Sequence, residues 1–236
     1  MNNNKKSNRF QRWLLPGFLF QSLIIGGGYA TGRELVEFFL SAGPLGGLVS
    51  ILLVTVLFSI TLSIAFELSR VTRTFDYRTF FKQILGPAWF LYEIVYLALV
   101  LLVIAVLGAA SGELVSARMG IPPVIGTVTM MVLVGILVFY GTAVIEKALA
   151  GWSFLLYIVY AVLIWQFLST FGHKIPAVLA TDDLSGPWIS GTFRYVAFTG
   201  TAVTMILFCV RHMETRRDAF IAGAFAGPIG MLPAIF

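Results

Sequence analysis

The chain has 236 residues, of which 58% are hydrophobic and 11% charged, with a mean hydropathy of +0.92. A soluble domain carries about 25% charged residues, so this chain cannot cover a water-facing surface and reads as an integral membrane protein. Its net charge of +5 lies in short loops between apolar stretches, which excludes nucleic acid as the partner and points to the lipid bilayer.

The N-terminal segment 1–13 is polar and basic and reads as a cytoplasmic tail; residues 14–236 read as one transmembrane domain. A cleaved signal peptide is not expected, because the first apolar run is too long and contains Arg33, Glu34 and Glu37. At about 20 residues per crossing, spans are expected at 14–40, 45–68, 88–115, 122–144, 152–171 and 191–210. A seventh begins near Ala219 and is still apolar at Phe236, so the sequence reads as the N-terminal part of a longer protein. With the N-terminus inside, the cytoplasmic loops hold Arg70, Arg73, Arg78, Lys82, Lys147, Arg211, Arg216 and Arg217, and the outer side only Arg118, Lys174 and Arg194. That asymmetry sets an N-in orientation in the cell inner (plasma) membrane. The loop "RVTRTFDYRTFFKQILGP" mixes bases with aromatics and suits a short amphipathic helix at the cytoplasmic interface.

Chemistry-bearing clusters are scarce. Cys209 is the one cysteine, His173 and His212 are far apart in sequence, and no catalytic triad, carboxylate pair or metal-ligand spacing stands out. No enzyme activity, resident cofactor or metal is therefore expected.

The first span carries "IIGGGYATGRELVEFF", with Gly26, Gly27, Gly28 and Gly32 followed by Arg33 and Glu34. Three readings compete. The spacing approaches a dinucleotide fingerprint, but that motif needs a strand before it and a water-facing crevice. Gly28 and Gly32 also form GxxxG, as do Gly43 and Gly47, which lets membrane helices approach closely. That reading does not account for Arg33 and Glu34, since charge at membrane depth faces a cavity or a partner. The third reading is a broken helix. Each glycine weakens a helix by about 1 kcal/mol relative to alanine, which makes unwinding between Gly26 and Thr31 accessible. Unwound backbone in a membrane lines a cavity, and a half-helix starting near Gly32 would turn free N–H groups toward an anionic group such as a carboxylate. Discontinuous helices of this kind mark binding sites in secondary transporters built from inverted repeats. The sixth span should then carry a counterpart, and its centre reads "FTGTAV", with Gly200 between Thr199 and Thr201.

The candidate substrate-binding residues are thus Gly26, Gly27, Gly28, Tyr29 and Gly32, faced by Tyr195, Phe198, Thr199, Gly200 and Thr201. Glu34 is the candidate coupling or gating carboxylate, with Arg33 and Glu37 beside it; Glu93, Tyr96 and Glu113 are weaker candidates.

"GGGYATGRELVEFF" resembles the G-A-G-F-A-S-G-Q-E signature of the YkvI-type bacterial membrane proteins, which belong to the amino acid–polyamine–organocation superfamily. The seven apolar segments, the basic loop after the second and "GAASGELVSARMGIPP" are also similar. Tyr29 stands where the signature has Phe and Arg33 where it has Gln. The resemblance implies a LeuT-like all-α transmembrane bundle with broken first and sixth helices, here running into the seventh span. It further implies alternating-access transport of amino acids or similar small organic solutes, coupled to Na+ or H+. The alternative is a non-transporting multi-pass protein, an assembly partner or sensor, whose glycines serve packing.

Overall fold

The computed structural model describes residues 8–27, 32–176, 184 and 186–235. Among them every secondary-structure element is helical. Pro44–Thr72, Tyr77–Met119 and Ala143–Lys174 are each long and apolar enough to cross a membrane, and Pro123–Phe139 is apolar but shorter. Large apolar side chains such as Leu101, Leu102, Phe139 and Trp165 point outward, a surface suited to acyl chains rather than water. The chain is an all-α membrane protein.

Two compact units divide the chain, residues 1–80 with 149–236 and residues 81–148. In the larger unit a π-helical turn, Phe10–Leu14, leads into α1 (Leu15–Gly27). A short helix α2 (Arg33–Phe38) and a 3-10 turn (Leu40–Ala42) precede α3 (Pro44–Thr72). Gly43 takes φ 83° and Pro44 opens α3, where its missing N–H would have no intrahelical acceptor in any case. At the other end Arg73 adopts φ 54°, and the Thr74 amide returns to the Ser69 carbonyl at 3.0 Å, closing the helix with a left-handed residue that is usually glycine.

The tightest packing in this unit joins α3 to α10 (Arg216–Met231). Along α10 the stripe Ala219, Ala222, Gly223, Ala226, Gly227 and Gly230 is buried. A Cβ on Gly223 would overlap Ser63, and one on Gly227 would lie 2.6 Å from the Thr55 carbonyl. Ser59 and Ser63 of α3 donate at 3.4 Å to the carbonyls of Ala224 and Phe220. Water-driven hydrophobic association is lacking between helices in lipid, so close van der Waals approach and interhelical hydrogen bonds hold this pair. The same face of α10 receives α1, where Gly17 lies under Ile229 and Gly230 under Phe20.

A polar latch ties the start of α10 to the N-terminal turn. Thr215 and Asp218 form a reciprocal capping box. The Trp13 indole Nε1–H donates to Asp218 Oδ1 at 2.7 Å, and Arg12 lies 3.3 Å from Glu214 and 3.8 Å from Asp218. Burial alone pushes the Asp218 carboxyl up, but the bonds it accepts from Trp13, from the Thr215 amide and hydroxyl and from the Glu214 amide outweigh that and hold it below the ordinary carboxylate value. A carboxyl depressed on folding stabilises the fold above its unfolded pKa and loses that contribution as pH falls through the folded one. Asp218→Asn is therefore expected to cost about 1–3 kcal/mol near neutral pH. The gap to the wild type should close in thermal melts taken below about pH 4; a gap unchanged down to pH 3 would assign the loss to shape rather than charge.

The α4 helix (Tyr77–Leu85), whose last five residues begin the smaller unit, runs through a 3-10 turn (Gly86–Ala88) into α5 (Trp89–Met119). Asp76 accepts the Thr79 amide at 2.8 Å and starts α4. Arg78, Thr79, Lys82 and Gln83 share one side of α4, and Tyr77, Phe80, Phe81, Ile84 and Leu85 the other, the amphipathic pattern expected for this loop. Within the unit Phe81 stacks on Tyr92 at 3.5 Å, and the Lys82 ammonium sits 4.4 Å from the Trp89 ring centroid. The α5 helix pairs with α6 (Pro123–Phe139) through Gly108 and Gly112, and Thr127 donates to the Gly108 carbonyl at 2.9 Å.

The fourth span closes earlier than the apolar pattern predicts. Gly141 turns the backbone with φ 83°, and α7 (Thr142–Phe171) starts at once. Val144, expected at the end of the fourth span, thus lies in the first turn of the next helix, and Lys147, expected in a loop, is helical. Two further helices of the larger unit, α8 (Trp188–Thr199) and α9 (Thr201–Met205), make up the sixth span together with a 3-10 run, Leu207–His212.

Candidate functional site

The glycine motif divides the first span. The α1 helix ends at Gly27 and α2 begins at Arg33. Gly26 and Gly27 are still helical, so unwinding does not begin at Gly26 as the glycine run suggests. Gly28 and Tyr29 lie outside the described residues, as does the Arg33 side chain. Gly32 adopts φ 70°, ψ −10°, and nothing lies within 4 Å of a Cβ placed on it. Conformation, not close packing, therefore requires glycine at this end of the GxxxG pair. Gly32→Ala should cost about 1–2 kcal/mol, and Gly32→Asn less, because Asn tolerates the left-handed region. Chemical denaturation in mild detergent checks the order; alanine tolerated as well as asparagine would remove the conformational argument.

The second pair, Gly43 and Gly47, does include close packing. A Cβ on Gly47 would lie 3.1 Å from the Phe39 carbonyl.

The α2 helix is six residues long, which gives it a short macrodipole. Glu34 is half-buried in its first turn, and Glu37 is exposed and one turn on. The α8 helix lies against α2 because two glycines permit it. A Cβ on Gly191 would overlap the Phe38 carbonyl, and one on Gly186 would lie 2.7 Å from the Ala42 carbonyl. Ser50 of α3 donates to the Trp188 carbonyl at 3.0 Å and fixes the first turn of α8.

An aromatic cluster joins these pieces. Tyr195 is fully buried, with its ring 4.9 Å from Phe39, 5.6 Å from Phe38 and 6.2 Å from Phe58. Phe198 stacks on Phe38 at 6.0 Å, and Phe58 meets Phe20 of α1 at 5.0 Å. Two members of the sequence-predicted facing wall, Tyr195 and Phe198, thus touch the half-helix that follows the glycine motif. Two residues beyond Phe198, at Gly200, the helix is interrupted again. Gly200 separates α8 from α9 while keeping helical dihedrals (φ −56°, ψ −26°), and the Val203 amide reaches the Gly200 carbonyl at 3.2 Å. The Thr201 carbonyl accepts from the Thr204 hydroxyl at 2.8 Å, whereas the Thr199 hydroxyl is buried without a hydrogen-bond partner.

On α1 itself a polar group appears that the sequence motif did not flag. Gln21, in the apolar run "FLFQSLII", is fully buried, and neither its Oε1 nor its Nε2 has a hydrogen-bond partner. Its neighbour Ser22 is satisfied: its hydroxyl lies 2.6 Å from that of Ser153 and 3.0 Å from the Leu149 carbonyl, and Ser153 donates to the Phe18 carbonyl at 2.9 Å. The signal was present as a lone amide in a hydrocarbon-length segment, a residue type that marks function when found inside a membrane span. Of the weaker candidates, Tyr96 is buried and stacks on Tyr92 at 5.7 Å in the smaller unit, where Glu93 and Glu113 also lie on α5.

No protein-family model, curated protein or solved structure matches the chain. Among the described residues no group of three or more His, Cys, Asp or Glu side chains is placed to hold a metal ion.

Proposed function

We propose that the chain forms part of an ion-coupled secondary transporter that moves amino acids or similar small organic solutes by alternating access. The observation that carries this reading is the junction of two interrupted helices. The first span is divided around Gly32, the sixth around Gly200, and the rings of Phe38 and Phe39 meet those of Tyr195 and Phe198 between them. A left-handed break such as that at Gly32 ends the helical hydrogen-bond ladder within a span, and lipid tolerates such backbone where it lines a site. The proposal draws on the resemblance to YkvI-type proteins and a LeuT-like bundle, and it assigns the coupling role to Glu34, with Na+ or H+ as the ion.

The same proposal places the protein in the cell membrane with its N-terminus inside. Cysteine introduced at Thr79 should then be labelled by an impermeant maleimide only from the cytoplasmic side, and cysteine at His173 only from outside. The opposite pattern would invert the orientation.

A second reading, a non-transporting assembly partner, draws on the glycines of α10, which serve close packing against α3. Uptake separates the two. Purified protein in proteoliposomes is given labelled amino acids under Na+ or pH gradients. Gradient-driven accumulation supports transport; none under either gradient, across the amino acid set, favours the assembly partner.

A further inference from the structure

The α4 helix carries Arg78 and Lys82 and no acidic residue. Asp76, just before it, is engaged as its cap through the Thr79 amide. At about 100° per residue the two bases fall about 40° apart, and Leu85 lies beside them at the edge of the apolar side. Other bases are matched within the protein: Arg12 by Glu214 and Asp218, and Arg70 by Glu67. Among the described residues no carboxylate pairs with exposed Lys82. Its ammonium rests instead against the Trp89 ring, 4.4 Å from the centroid. The ring takes one side of the ammonium and fixes its place, and N–H donors remain on the other side.

The depth of this cation follows from the chain around it. Phe81 and Tyr92 are eleven positions apart, about 16 Å along a straight helix, yet their rings stack at 3.5 Å. The backbone therefore folds back at Gly86, where φ is 54°, and the end of α4 lies against the first turns of α5. With 31 residues, α5 is about 46 Å long and exceeds a hydrocarbon core of about 30 Å, so its first turns belong at the interface. They carry Trp89, Tyr92 and Tyr96, the aromatic types that gather at headgroup level. Ile84 and Leu85 are exposed, and so are Phe90, Leu91 and Ile94 beyond the turn, an apolar surface that suits acyl chains. Lys82 thus sits between that surface and water, with an apolar stem and a charged head suited to the boundary.

A zwitterionic headgroup brings its own cation beside its phosphate and has little need of these bases. A headgroup with net negative charge leaves its phosphodiester oxygens to be matched by the protein. We propose that α4 is a docking site for an anionic phospholipid. Lys82 holds the phosphodiester, Arg78 one turn back on the same helix adds the second positive charge, and the acyl chains lie along Leu85 and Phe90. In the orientation proposed above this is the cytoplasmic leaflet, whose anionic lipids attract basic segments. The docking site does not depend on whether the protein transports a solute.

The full chain in detergent is titrated with phosphatidylglycerol or with phosphatidylcholine of the same acyl chains, and bound lipid is read by native mass spectrometry. Phosphatidylglycerol is expected to bind at least about tenfold tighter. A base near an anionic surface contributes roughly fivefold in binding, so Arg78→Gln combined with Lys82→Gln should weaken phosphatidylglycerol about 10- to 30-fold and leave phosphatidylcholine unchanged. Lys147→Gln combined with Arg217→Gln removes the same charge from two exposed bases elsewhere and should have little effect. Arg78→Lys combined with Lys82→Arg keeps both charges and should bind like the wild type. Equal binding of the two lipids to the wild type overturns the proposal. An equal loss in the Lys147 and Arg217 control does so too, because it assigns the preference to net charge. A charge-keeping pair that loses as much as the glutamine pair assigns the effect to shape and has the same consequence. Displacement of the lipid from the wild type by millimolar inorganic phosphate would reveal a site for a free anion and overturn the lipid as occupant.

Discussion

Valine at position 227 is expected to separate α10 from α3 and to lower the melting temperature of the detergent-solubilised protein by roughly 6–12 °C, which corresponds to about 3 kcal/mol for a chain of this size. A Cβ there would overlap the Ser59 hydroxyl, which can rotate away. It would also lie 2.6 Å from the Thr55 carbonyl oxygen and 2.9 Å from the Ser59 amide nitrogen. Those two atoms belong to a continuous helix and cannot yield individually, so relief requires moving α3 and α10 apart. Moving them apart also lengthens the Ser59 and Ser63 hydrogen bonds to the Ala224 and Phe220 carbonyls, already 3.4 Å. Gly135→Ala is the control. Nothing lies within 4 Å of a Cβ at Gly135 in α6, and alanine there should hold or raise the melting temperature, since glycine weakens a helix interior by about 1 kcal/mol. Equal losses in both variants would show that glycine in these helices matters for some reason other than contact.

The contrast between Gly227 and Gly32 shows where sequence reasoning stops. Gly28 and Gly32, Gly43 and Gly47, and Gly223 and Gly227 all share one spacing. The last pair is used for approach, whereas Gly32 is used for a left-handed dihedral beside open space. Spacing records which positions are small; it does not record whether the missing Cβ frees a neighbour or a torsion. Hydropathy placed the second and third spans within a few residues of Pro44–Thr72 and Trp89–Met119. It overran the fourth because a single glycine turn at Gly141 does not change an average over twenty apolar residues. The capping box at Thr215 and Asp218 was legible as T-x-x-D before an apolar run. The aromatic contacts of Tyr195 and Phe198 were not, since they depend on Gly186 and Gly191 letting α8 close on the turn after α2. Gln21 was visible as a residue but not as an unpaired one, because satisfaction is a property of neighbours distant in the chain.

Glu34→Gln is expected to abolish gradient-driven uptake, reducing it at least about 100-fold while leaving the fold intact. The side chain is half-buried in the first turn of α2, immediately after the left-handed Gly32 that aims this helix. A carboxylate in that position carries the one property glutamine lacks, a charge that can be matched by Na+ or neutralised by a proton, and shape is otherwise conserved. The loss should therefore fall on coupling rather than on assembly. Melting temperatures of the two proteins should agree within about 2 °C, the shift expected from less than 1 kcal/mol. Solute binding measured without a gradient should survive, because the aromatic wall of Phe38, Phe39, Tyr195 and Phe198 and the divided backbone at Gly32 and Gly200 are unchanged. Exposed Glu37, one turn further along the same helix, is the comparison: Glu37→Gln should retain most of the uptake. Normal coupled accumulation by the Glu34 variant would remove that carboxylate from the mechanism and transfer the coupling role to another group of the junction.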